Sequence, residues 1–535
     1  MFRFQLTVEA YDPNRTEPFM DYLFPLSLPS LSAYLKQHGE DVTCVNLNHK
    51  SGHIRDVIED LDVDKYDIVF LGGLSLFYPH IKDTIEYIRE FAPDTKIVVG
   101  GGIITAQPEI MYRLLAPDFG IVGEGEETAL ELVNSNALNT IKGLVYENKG
   151  KIIVNPPRPQ IKNLDALPFP DYESFDFFNH LNNVKPTTYY PFCVVDKPRY
   201  YPLLASRSCT ARCTFCFHPI GNKYYQRSVD NIMEELKLNV EKYNINIIII
   251  YDELFTHNMD RLHDFCKKFK AYSDTRPEKL WFYCNTRVDN TTDEMMKLLK
   301  DSGAFLLTFG LESYSQTVLD SMKKHTTPEQ IKTSVTNARK NDLGIQGSFI
   351  FGDVAETMDT ANETLKFLKE YHKTMGTAVS SVFIIPFQGS PIYKQCVKEG
   401  IIKDELAFIE ERAVKGYIGG EPLNMTAIKS YDFEVLKDKV FTESIAHGIY
   451  TKPTRSWKVG NDTFVEIKCP WCGKMSTLMN MPVPERGLIL NVGCRHCFYR
   501  FDMVGDWFWV TNTMTRLLGA KKIQRLIGLK KKYVG

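Results

Sequence analysis

Three cysteines on one short segment are the residues of this chain best suited to redox chemistry. Cys209, Cys213 and Cys216 stand in the run Ser-Arg-Ser-Cys-Thr-Ala-Arg-Cys-Thr-Phe-Cys-Phe, a Cys-x3-Cys-x2-Cys spacing that follows an apolar stretch. Three thiolates on one loop can each hold one iron of a four-iron cluster. The fourth iron then has no protein ligand, and an open metal position is where a substrate or cofactor binds. The spacing therefore predicts a catalytic iron–sulfur loop.

Other interpretations of this loop are weaker. A structural zinc site usually needs four ligands, and no fourth cysteine lies nearby, although His218 keeps that alternative open. A redox pair needs only two cysteines, and a disulfide framework is not expected in an intracellular protein. With Phe215 before the third cysteine, the segment resembles the radical S-adenosylmethionine (SAM) superfamily, whose cluster loop is Cys-x3-Cys-x-aromatic-Cys.

Composition limits the class of protein. The chain has 535 residues, of which 44% are hydrophobic, and this is enough for two to four domains with full cores. A net charge of −2 argues against an electrostatic nucleic-acid binder. The first ten residues alternate like a strand, and no apolar run approaches the length of a membrane span. We therefore expect a soluble, cytoplasmic protein, in a compartment that keeps thiolate-held iron reduced.

Residues 1–140 alternate strand and helix, which predicts an α/β domain with a doubly wound, flavodoxin-like (Rossmann-like) sheet. The predicted strands are Arg3–Ala10, Asp41–Asn48, Tyr66–Leu74, Lys96–Gly102 and Phe119–Gly123. The predicted helices between them include Leu28–His38, Ile54–Leu61, Ile81–Phe91 and Pro108–Leu115. Ligands of such sheets bind at the carboxyl ends of the strands.

Small residues crowd those strand ends, and glycine lets a large flat ligand approach the backbone. The candidate contacts are Gly72, Ser75, Gly100, Gly101, Gly123 and Gly125. Together with the run Pro25-Leu26-Ser27-Leu28-Pro29, the whole segment resembles the cobalamin-binding domain that precedes many radical SAM domains. No Asp-x-His-x-x-Gly motif supplies a lower axial histidine, and His49, His53 and His80 are interpreted as surface or helix-start residues.

Residues 141–195 are predicted to form a proline-rich connector that fixes one domain against the next. The stretches at 155–159 and 164–172 carry too many prolines for regular helix or sheet.

Residues 196–420 return to strand–helix alternation, with six predicted units. The predicted strands are Pro202–Ser206, Ile245–Tyr251, Lys279–Asn285, Phe305–Gly310, Gln346–Gly352 and Ser380–Pro386. Helices are predicted after most of them, such as Ile232–Lys242, Met259–Tyr272 and Thr357–Tyr371. Six units fall short of the eight that close a (β/α)8 barrel. The radical SAM resemblance implies a partial, open (β/α)6 barrel.

Polar residues end these apolar strands, and burying them is costly unless they bind something. SAM offers matching chemistry. The SAM ammonium would bind Glu253 or Glu312, and the SAM carboxylate would bind Arg287. The ribose would bind Asn285 or Ser313. The adenine would contact the backbone near Gly352 and Pro386. Alternatively, Asp252 and Glu253 could cap the next segment, and Glu312 could form an internal ion pair with Arg287. The resemblance supports the runs Asp252–Phe255, Gly310–Ser313 and Gly352–Thr357.

A second cysteine set lies near the carboxyl end of the chain. Cys469 and Cys472 form one Cys-x2-Cys pair, and Cys494 and Cys497 form another. Four thiolates can close a tetrahedral shell, and the segment 465–500 resembles a zinc ribbon within a C-terminal extension, 421–535. An auxiliary iron–sulfur cluster is the competing interpretation. The ribbon could also recognise a carrier or partner protein.

The segment Arg516–Lys532 is basic and has an apolar helical side. It could lie on an anionic membrane surface as a peripheral contact. An ordinary terminal helix packed on the protein is an equal alternative.

The resemblance implies a cobalamin-dependent radical SAM enzyme, most simply a C-methyltransferase. An electron delivered to the 4Fe–4S cluster, from a donor such as a flavodoxin or ferredoxin, cleaves SAM to methionine and a 5′-deoxyadenosyl radical. That radical removes hydrogen from an unactivated carbon of a small-molecule or carrier-bound substrate, and methylated cobalamin supplies the methyl group. A non-methylating rearrangement, cyclisation or oxidation is the main alternative, and a non-catalytic binding protein is the other.

Overall fold

A parallel sheet of buried apolar strands forms the core of the N-terminal region. The computed structural model describes residues 2–7, 24–183, 189–221, 223–375, 379–415, 421–446, 448–482, 489–505 and 508. The first five strands are Phe2–Thr7 (β1), Asp41–Asn46 (β2), Ile68–Gly72 (β3), Lys96–Gly100 (β4) and Phe119–Ile121 (β5). They pair in parallel in the order β2-β1-β3-β4-β5. This order confirms the predicted flavodoxin-like sheet.

Both faces of this sheet are covered, as its continuous apolar strands require. Successive side chains of β3 point to opposite faces, so Val69 and Leu71 join one buried cluster while Ile68 and Phe70 join the other. The helices of this region are Ser27–Gln37 (α1), Ile54–Asp60 (α2), Tyr78–Phe91 (α3), Gly102–Ala106 (α4), Pro108–Leu115 (α5), Glu126–Asn134 (α6) and Phe177–Asn183 (α7).

Two further strands extend this sheet in residues that the sequence assigned to the connector. Leu144–Asn148 (β6) and Lys151–Val154 (β7) form an antiparallel hairpin that pairs with β5. The sequence pattern predicted no strands at these positions, although proline density excludes regular helix and sheet only at 155–159 and 164–172. Lys149 and Gly150 both have positive φ, the combination that a two-residue hairpin turn requires. The proline-dense stretch that follows contains only a short 3-10 turn, Leu164–Ala166, as predicted.

A second, open parallel sheet holds the six strands predicted for a partial barrel. The strands that follow in chain order are Tyr200–Leu203 (β8), Ser206–Arg207 (β9), Tyr225–Gln226 (β10), Ile247–Ile250 (β11), Trp281–Thr286 (β12), Ala304–Glu312 (β13), Gly344–Phe351 (β14) and Val379–Phe383 (β15). Strands β8 and β11 to β15 pair side by side in parallel in sequence order. Strands β9 and β10 form a separate antiparallel pair. The predicted (β/α)6 architecture is confirmed.

Helices alternate with the barrel strands and continue beyond them. They are Val229–Tyr243 (α8), Met259–Asp274 (α9), Asp293–Ser302 (α10), Gln316–Ser321 (α11), Pro328–Lys340 (α12), Met358–Met375 (α13), Pro391–Lys398 (α14), Glu405–Lys415 (α15) and Ser430–Ala446 (α16). No helix within the described ranges is both long and apolar enough to cross a membrane. The basic segment Arg516–Lys532 lies outside the described residues.

Two small sheets make up the C-terminal region around the second cysteine set. Their strands are Tyr450–Thr451 (β16), Pro453–Val459 (β17), Asp462–Lys468 (β18), Met475–Met479 (β19), Ile489–Gly493 (β20) and Arg500–Val504 (β21). Strands β17, β18 and β19 form an antiparallel sheet, and β21 lies between β16 and β20 in the other.

The chain divides into two compact units. The first comprises Met1–Thr187, Ser206–Glu235 and Ile385–Glu421, and the second comprises Thr188–Ala205, Leu236–Ile384 and Pro422–Gly535. The three-cysteine loop therefore belongs to the unit that contains the flavodoxin-like sheet. The predicted boundaries at residues 140, 195 and 420 stay predictions.

Candidate functional site

The three-cysteine loop is closed at its base by a short antiparallel pair. Arg207 of β9 pairs with Tyr225 of β10, so both ends of the loop are held together. Ser208 adopts a left-handed backbone (φ 69°), which turns the chain sharply before Cys209. Its hydroxyl donates to the carbonyl of Gly221 across the loop. The loop is thereby fixed at its base while its cysteines occupy an irregular segment between the two strands.

The turn after the last barrel strand supports this loop from within the same unit. The Ile392 N–H donates to the Thr214 carbonyl at 2.9 Å. Phe217 packs so closely on Gly389 that a β-carbon at that glycine would lie 2.6 Å from the ring. Gly389 also has a positive φ of 85°, so glycine is required there for two reasons. Pro386, predicted to lie near the adenine, is buried in this turn, and its contact with SAM stays a prediction.

The cysteines themselves suit cluster ligands. Cys209 and Cys213 are buried, with 8% and 5% of their surface exposed, and Cys216 is half-buried. The Ala211 N–H lies 3.4 Å from the Cys209 Sγ and donates to it. Backbone donors of this kind stabilise a thiolate and tune the potential of the cluster that it holds. The donor set and its support fit a three-ligand 4Fe–4S cluster.

The carboxyl edge of the first sheet carries the glycines predicted to face cobalamin. Gly101 (φ 85°) is required by its neighbour, since a β-carbon there would lie 2.9 Å from the Gly73 carbonyl oxygen. Gly123 (φ 81°) has open space where its β-carbon would be. Gly72 and Gly100 end the paired strands β3 and β4 in register, Ser75 is buried, and Gly125 precedes α6.

Apolar side chains at this edge are exposed in a way that suits a large flat ligand. Leu74 and Leu76, which follow β3, are 49% and 36% exposed. Leu74 lies against Gly102 of the glycine run after β4, and exposed leucines at such an edge favour an apolar ligand surface over water. These residues therefore fit cobalamin at the place where doubly wound sheets bind ligands.

The histidines near this sheet follow the sequence interpretation with one exception. His53 caps α2 by accepting the Arg55 N–H at 3.2 Å, and His80 lies in the first turn of α3. His49 is not a surface residue, because its side chain is only 6% exposed. It stacks near His180, and burial lowers the pKa of the His49 imidazole. The exception arises because α7, which the sequence did not predict, places His180 against His49.

Three charged residues that the sequence did not connect join the three-cysteine loop to the carboxyl edge of the first sheet. The Arg207 guanidinium donates to Glu124 Oε1 and to Glu126 Oε1, both at 2.6 Å. All three side chains are nearly buried, with 11%, 4% and 8% exposed. Burial raises the pKa of Glu124, and Arg207 opposes that shift. In the run Gly123-Glu124-Gly125-Glu126, the sequence predicted a role only for the two glycines. The contacts of Glu124 and Glu126 with Arg207 could not be predicted, because 83 and 81 positions separate these residues.

The predicted SAM contacts at the end of β11 and β12 lie in the second unit. Asp252 is fully buried and accepts the Ala205 N–H at 2.6 Å, while Arg261 donates to the Ala205 carbonyl. The Asn285 amide donates to the Asp252 carbonyl at 2.9 Å. Asp252 therefore organises the adjoining strand ends, and Glu253 beside it is exposed.

Glu312 and Arg287 are engaged in separate internal ion pairs. Glu312, with a left-handed backbone (φ 59°), accepts from the Lys324 ammonium at 2.6 Å, and both side chains are buried. Arg287 pairs with Asp289 at 2.8 Å and donates to the Lys324 carbonyl at 2.7 Å. The alternative of a direct Glu312–Arg287 pair is wrong.

The remaining predicted contacts are fixed by local hydrogen bonds. Ser313 is buried and accepts the Ser315 N–H at 3.1 Å. Gly352 has a φ of 91°, and its N–H donates to Glu356 at 2.6 Å. Burial raises the pKa of Glu356 to about 8. Contact of Asp252, Glu253, Asn285, Arg287, Glu312, Ser313 and Gly352 with SAM stays a prediction.

The second cysteine set has the spacing of a single-ion site. All four Sγ atoms of Cys469, Cys472, Cys494 and Cys497 lie within 4.8 Å of one another. Ligands at about 2.3 Å from one tetrahedral zinc stand about 3.8 Å apart, and the Cys469–Cys497 and Cys472–Cys494 sulfurs are both 3.7 Å apart. Thiolates that each bind a different iron of a cluster must stand farther apart. The geometry favours zinc over an auxiliary cluster.

Within the second unit, the four-cysteine ribbon packs against barrel strands through buried aromatic and basic residues. The Tyr190 hydroxyl donates to the Phe498 carbonyl at 2.7 Å and lies 3.2 Å from the Phe305 carbonyl of β13. Arg500 donates to Gln346 of β14 at 2.9 Å. These contacts meet the amino-terminal halves of the barrel strands, away from the strand ends predicted to bind SAM.

Similarity to known proteins agrees with these sites. A model of the radical SAM superfamily matches residues 203–368, and a model of the B12 binding domain matches residues 19–133. An uncharacterized methyltransferase of Pyrococcus horikoshii is 32% identical over 353 residues, which span 65% of this chain and 73% of that protein. Cytidylyl-2-hydroxyethylphosphonate methyltransferase of Streptomyces wedmorensis is 25% identical over 485 residues, 78% of this chain and 88% of that protein.

A solved structure shares the fold. The radical SAM methyltransferase TsrM from Kitasatospora setae, with cobalamin and a 4Fe–4S cluster bound, superposes with a TM-score of 0.59 at 16% identity and covers 74% of this chain and 75% of its own. The segments that the two family models match include the three-cysteine loop and the glycine-rich sheet edge described above. The chain therefore belongs to the radical SAM superfamily and, within it, to the cobalamin-dependent enzymes that include methyltransferases.

Proposed function

We propose that this protein methylates an unactivated carbon of a small-molecule or carrier-bound substrate. The observation that carries this proposal is the union, in one compact unit, of the open three-cysteine loop with the cobalamin-type sheet edge. Methyl transfer to a carbon radical needs a methyl carrier besides the iron–sulfur cluster, and the cobalamin-type sheet edge offers a place for one. The relatives named above as methyltransferases support the same reaction class.

When bound, the cofactors supply the bond-breaking chemistry, in which two SAM molecules and two electrons convert one C–H bond into C–CH3 and yield methionine, 5′-deoxyadenosine and S-adenosylhomocysteine. The chain itself positions the reacting groups and excludes water. Cys209, Cys213 and Cys216 would hold three irons and provide no ligand for the fourth. Leu74 and Leu76 present exposed apolar side chains after β3, and Leu74 lies against Gly102.

Strand-end residues of the second unit would bind SAM in this proposal. Arg287 offers a guanidinium to the SAM carboxylate, and the exposed Glu253 offers a carboxylate to its ammonium. Asn285 and Ser313 offer polar groups to the ribose. Gly352 offers backbone to the adenine.

Product analysis tests the reaction. The anaerobically reconstituted protein is incubated with SAM, hydroxocobalamin, a low-potential reductant and extracts fractionated for substrate, and products are measured by mass. We expect a substrate mass gain of one methylene, together with S-adenosylhomocysteine and 5′-deoxyadenosine. A variant with all three cluster cysteines replaced by alanine is the control and should form no 5′-deoxyadenosine. Turnover that yields 5′-deoxyadenosine without either methylation product would overturn the proposal and favour a rearrangement, cyclisation or oxidation.

The proposal includes an electron donor and a compartment. A low-potential flavodoxin or ferredoxin would reduce the cluster, since cleavage of SAM needs an electron that no residue of the chain supplies. A reducing cytoplasm would protect the thiolate-held iron. Replacing the chemical reductant with purified reduced flavodoxin should sustain 5′-deoxyadenosine formation, and the absence of any turnover would contradict this donor class.

A further inference from the structure

Arg207 connects two loops that serve different cofactors. Its guanidinium reaches Glu124 with one nitrogen and Glu126 with the other, each at 2.6 Å. The rigid fork of arginine can bridge two carboxylates in this way, whereas the single ammonium of lysine cannot hold the same geometry. The arginine side chain is only 11% exposed, so water does little to screen these bonds.

Each end of this triad is anchored to a cofactor loop. Arg207 lies two residues before Cys209, and its backbone pairs with Tyr225 to close the base of the cluster loop. Glu124 lies in the turn between β5 and α6, which contains the open Gly123, and Glu126 is the first residue of α6. Glu124 also accepts the Ile161 N–H at 2.5 Å, which fixes the carboxylate from its other side.

Neither loop can move alone without exposing or isolating a buried charge. Two carboxylates and one guanidinium in a nearly closed environment are stable only while all three stay in contact. A shift of the cluster loop would separate Arg207 from both acids, and a shift of the β5–α6 turn would do the same. The triad therefore transmits a displacement at one loop to the other.

We propose that Arg207 is a positioning residue that couples the two cofactor sites, so that the presence of the iron–sulfur cluster raises the affinity of the chain for cobalamin. Linkage requires the converse, that bound cobalamin raises the affinity of the loop for the cluster by the same factor. The inference rests on the cofactor set of the proposed function but not on methyl transfer, so a failed methylation assay leaves it intact.

Cobalamin titration of the full chain with and without its cluster tests the coupling. Hydroxocobalamin binding is followed by absorbance or calorimetry for the anaerobically reconstituted protein and for the same protein prepared without iron and sulfide. In the unsubstituted protein we expect the cluster to tighten hydroxocobalamin binding by about fivefold or more, the lower range of measured couplings. In Arg207→Met the two affinities should coincide.

Arg158→Met is the matched control. Arg158 also pairs with two acids of the same helix, Glu127 at 2.9 Å and Glu131 at 2.6 Å, but contacts neither Glu124 nor Glu126 in the structure. This variant should keep the full effect of the cluster on cobalamin affinity even if its melting temperature falls. A role of Arg207 in stability alone would instead lower the melting temperature and leave the coupling unchanged.

Two results would overturn the proposal. One is an equal cobalamin affinity of the cluster-loaded and cluster-free unsubstituted protein, and the other is a coupling that survives in Arg207→Met. If Arg207→Met fails to fold, Glu126→Gln replaces it, since that variant removes one charge and keeps the Arg207–Glu124 pair. Glu126→Gln should reduce the coupling, and an undiminished coupling in a folded Glu126→Gln protein would equally contradict the proposal.

Discussion

The two cysteine sets of this protein use the same side chain for opposite purposes. The three-cysteine loop is an irregular segment between two short strands, and it offers fewer ligands than its metal cluster has irons. The four-cysteine ribbon brings all its sulfurs within 4.8 Å of one another. Three of those four cysteines also belong to a buried apolar cluster with Val465, Leu478 and Phe501.

The difference shows how coordination number separates chemistry from structure. A filled tetrahedral shell embedded in apolar packing resists exchange and contributes folding energy. An unfilled site must stay accessible, so its loop cannot be stabilised by dense packing over the metal. The first set is held from beneath instead, by the β9–β10 pair, the Gly389 turn and the Arg207 triad.

Substituting one cysteine of each set in turn should give the largest effects and should separate the roles of the two sets most clearly. Cys213→Ala should abolish 5′-deoxyadenosine formation while retaining the ribbon metal, because the two sites share no ligand. Cys494→Ser should release the ribbon metal and lower the thermal stability of the protein, since the metal-binding free energy is lost from the folded state. Elemental analysis and differential scanning calorimetry measure the two outcomes. Loss of the ribbon metal in Cys213→Ala would contradict the separation of the sites.

Glu312→Ala tests whether a residue predicted to serve the open site is instead structural. Removing Glu312 takes its carboxylate away from the Lys324 ammonium, whose side chain is only 8% exposed. Loss of one partner of a buried ion pair costs about 3–5 kcal/mol of unfolding free energy. The double variant Glu312→Ala with Lys324→Met should recover much of that loss. Urea denaturation measures both. A weakened SAM affinity in the double variant, measured by calorimetry, would show that Glu312 also contacts SAM.

Glu356→Gln should change the pH dependence of stability. Because burial raises the Glu356 pKa to about 8 from 4.5, the folded state keeps a proton that the unfolded state releases above pH 4.5. Unfolding free energy should therefore fall by up to about 1.4 kcal/mol per pH unit between those two values. Glutamine can still accept the Gly352 N–H but does not titrate, so this contribution should vanish in the variant. Identical pH profiles for the two proteins would contradict the buried, protonated carboxyl.

Tyr190→Phe should give the smallest effect and tests how the ribbon is attached. The hydroxyl donates to the Phe498 carbonyl beside Cys497, and the ring stacks on Phe305 at 5.7 Å between centroids. Loss of the hydrogen bond alone should cost about 1–2 kcal/mol of unfolding free energy, while ribbon metal content stays full. Release of the metal from this variant would mean that the attachment to β13 is needed to assemble the shell.

Local patterns made much of the fold predictable. The order of the first sheet, the six barrel strands and both cysteine sets follow from strand periodicity and from ligand spacing within short segments. The β6–β7 hairpin was missed because its proline-rich neighbours suggested a connector, although Lys149-Gly150 is an acceptable turn. Contacts between distant positions were not predictable. Ile409, for example, lies in the buried core of the first sheet although it follows the last barrel strand.

The candidate site shows the same limit. The cysteine spacing identifies the metal ligands, since three or four thiolates on one or two short loops have few other uses. Glu312 pairs with Lys324 rather than with Arg287 because of how the turns after β12 and β13 fold. Sequence patterns do not encode that choice.

The sequence by itself determined which chemistry this protein starts, because ligand type and spacing are local properties. Only the tertiary structure decided how that chemistry is held in place. Arg207 meets Glu124 and Glu126 across more than eighty positions, and the four ribbon sulfurs converge from two separate loops. Such contacts depend on the packing of whole sheets and helices, whose energies are summed over many distant residues rather than written in any one segment.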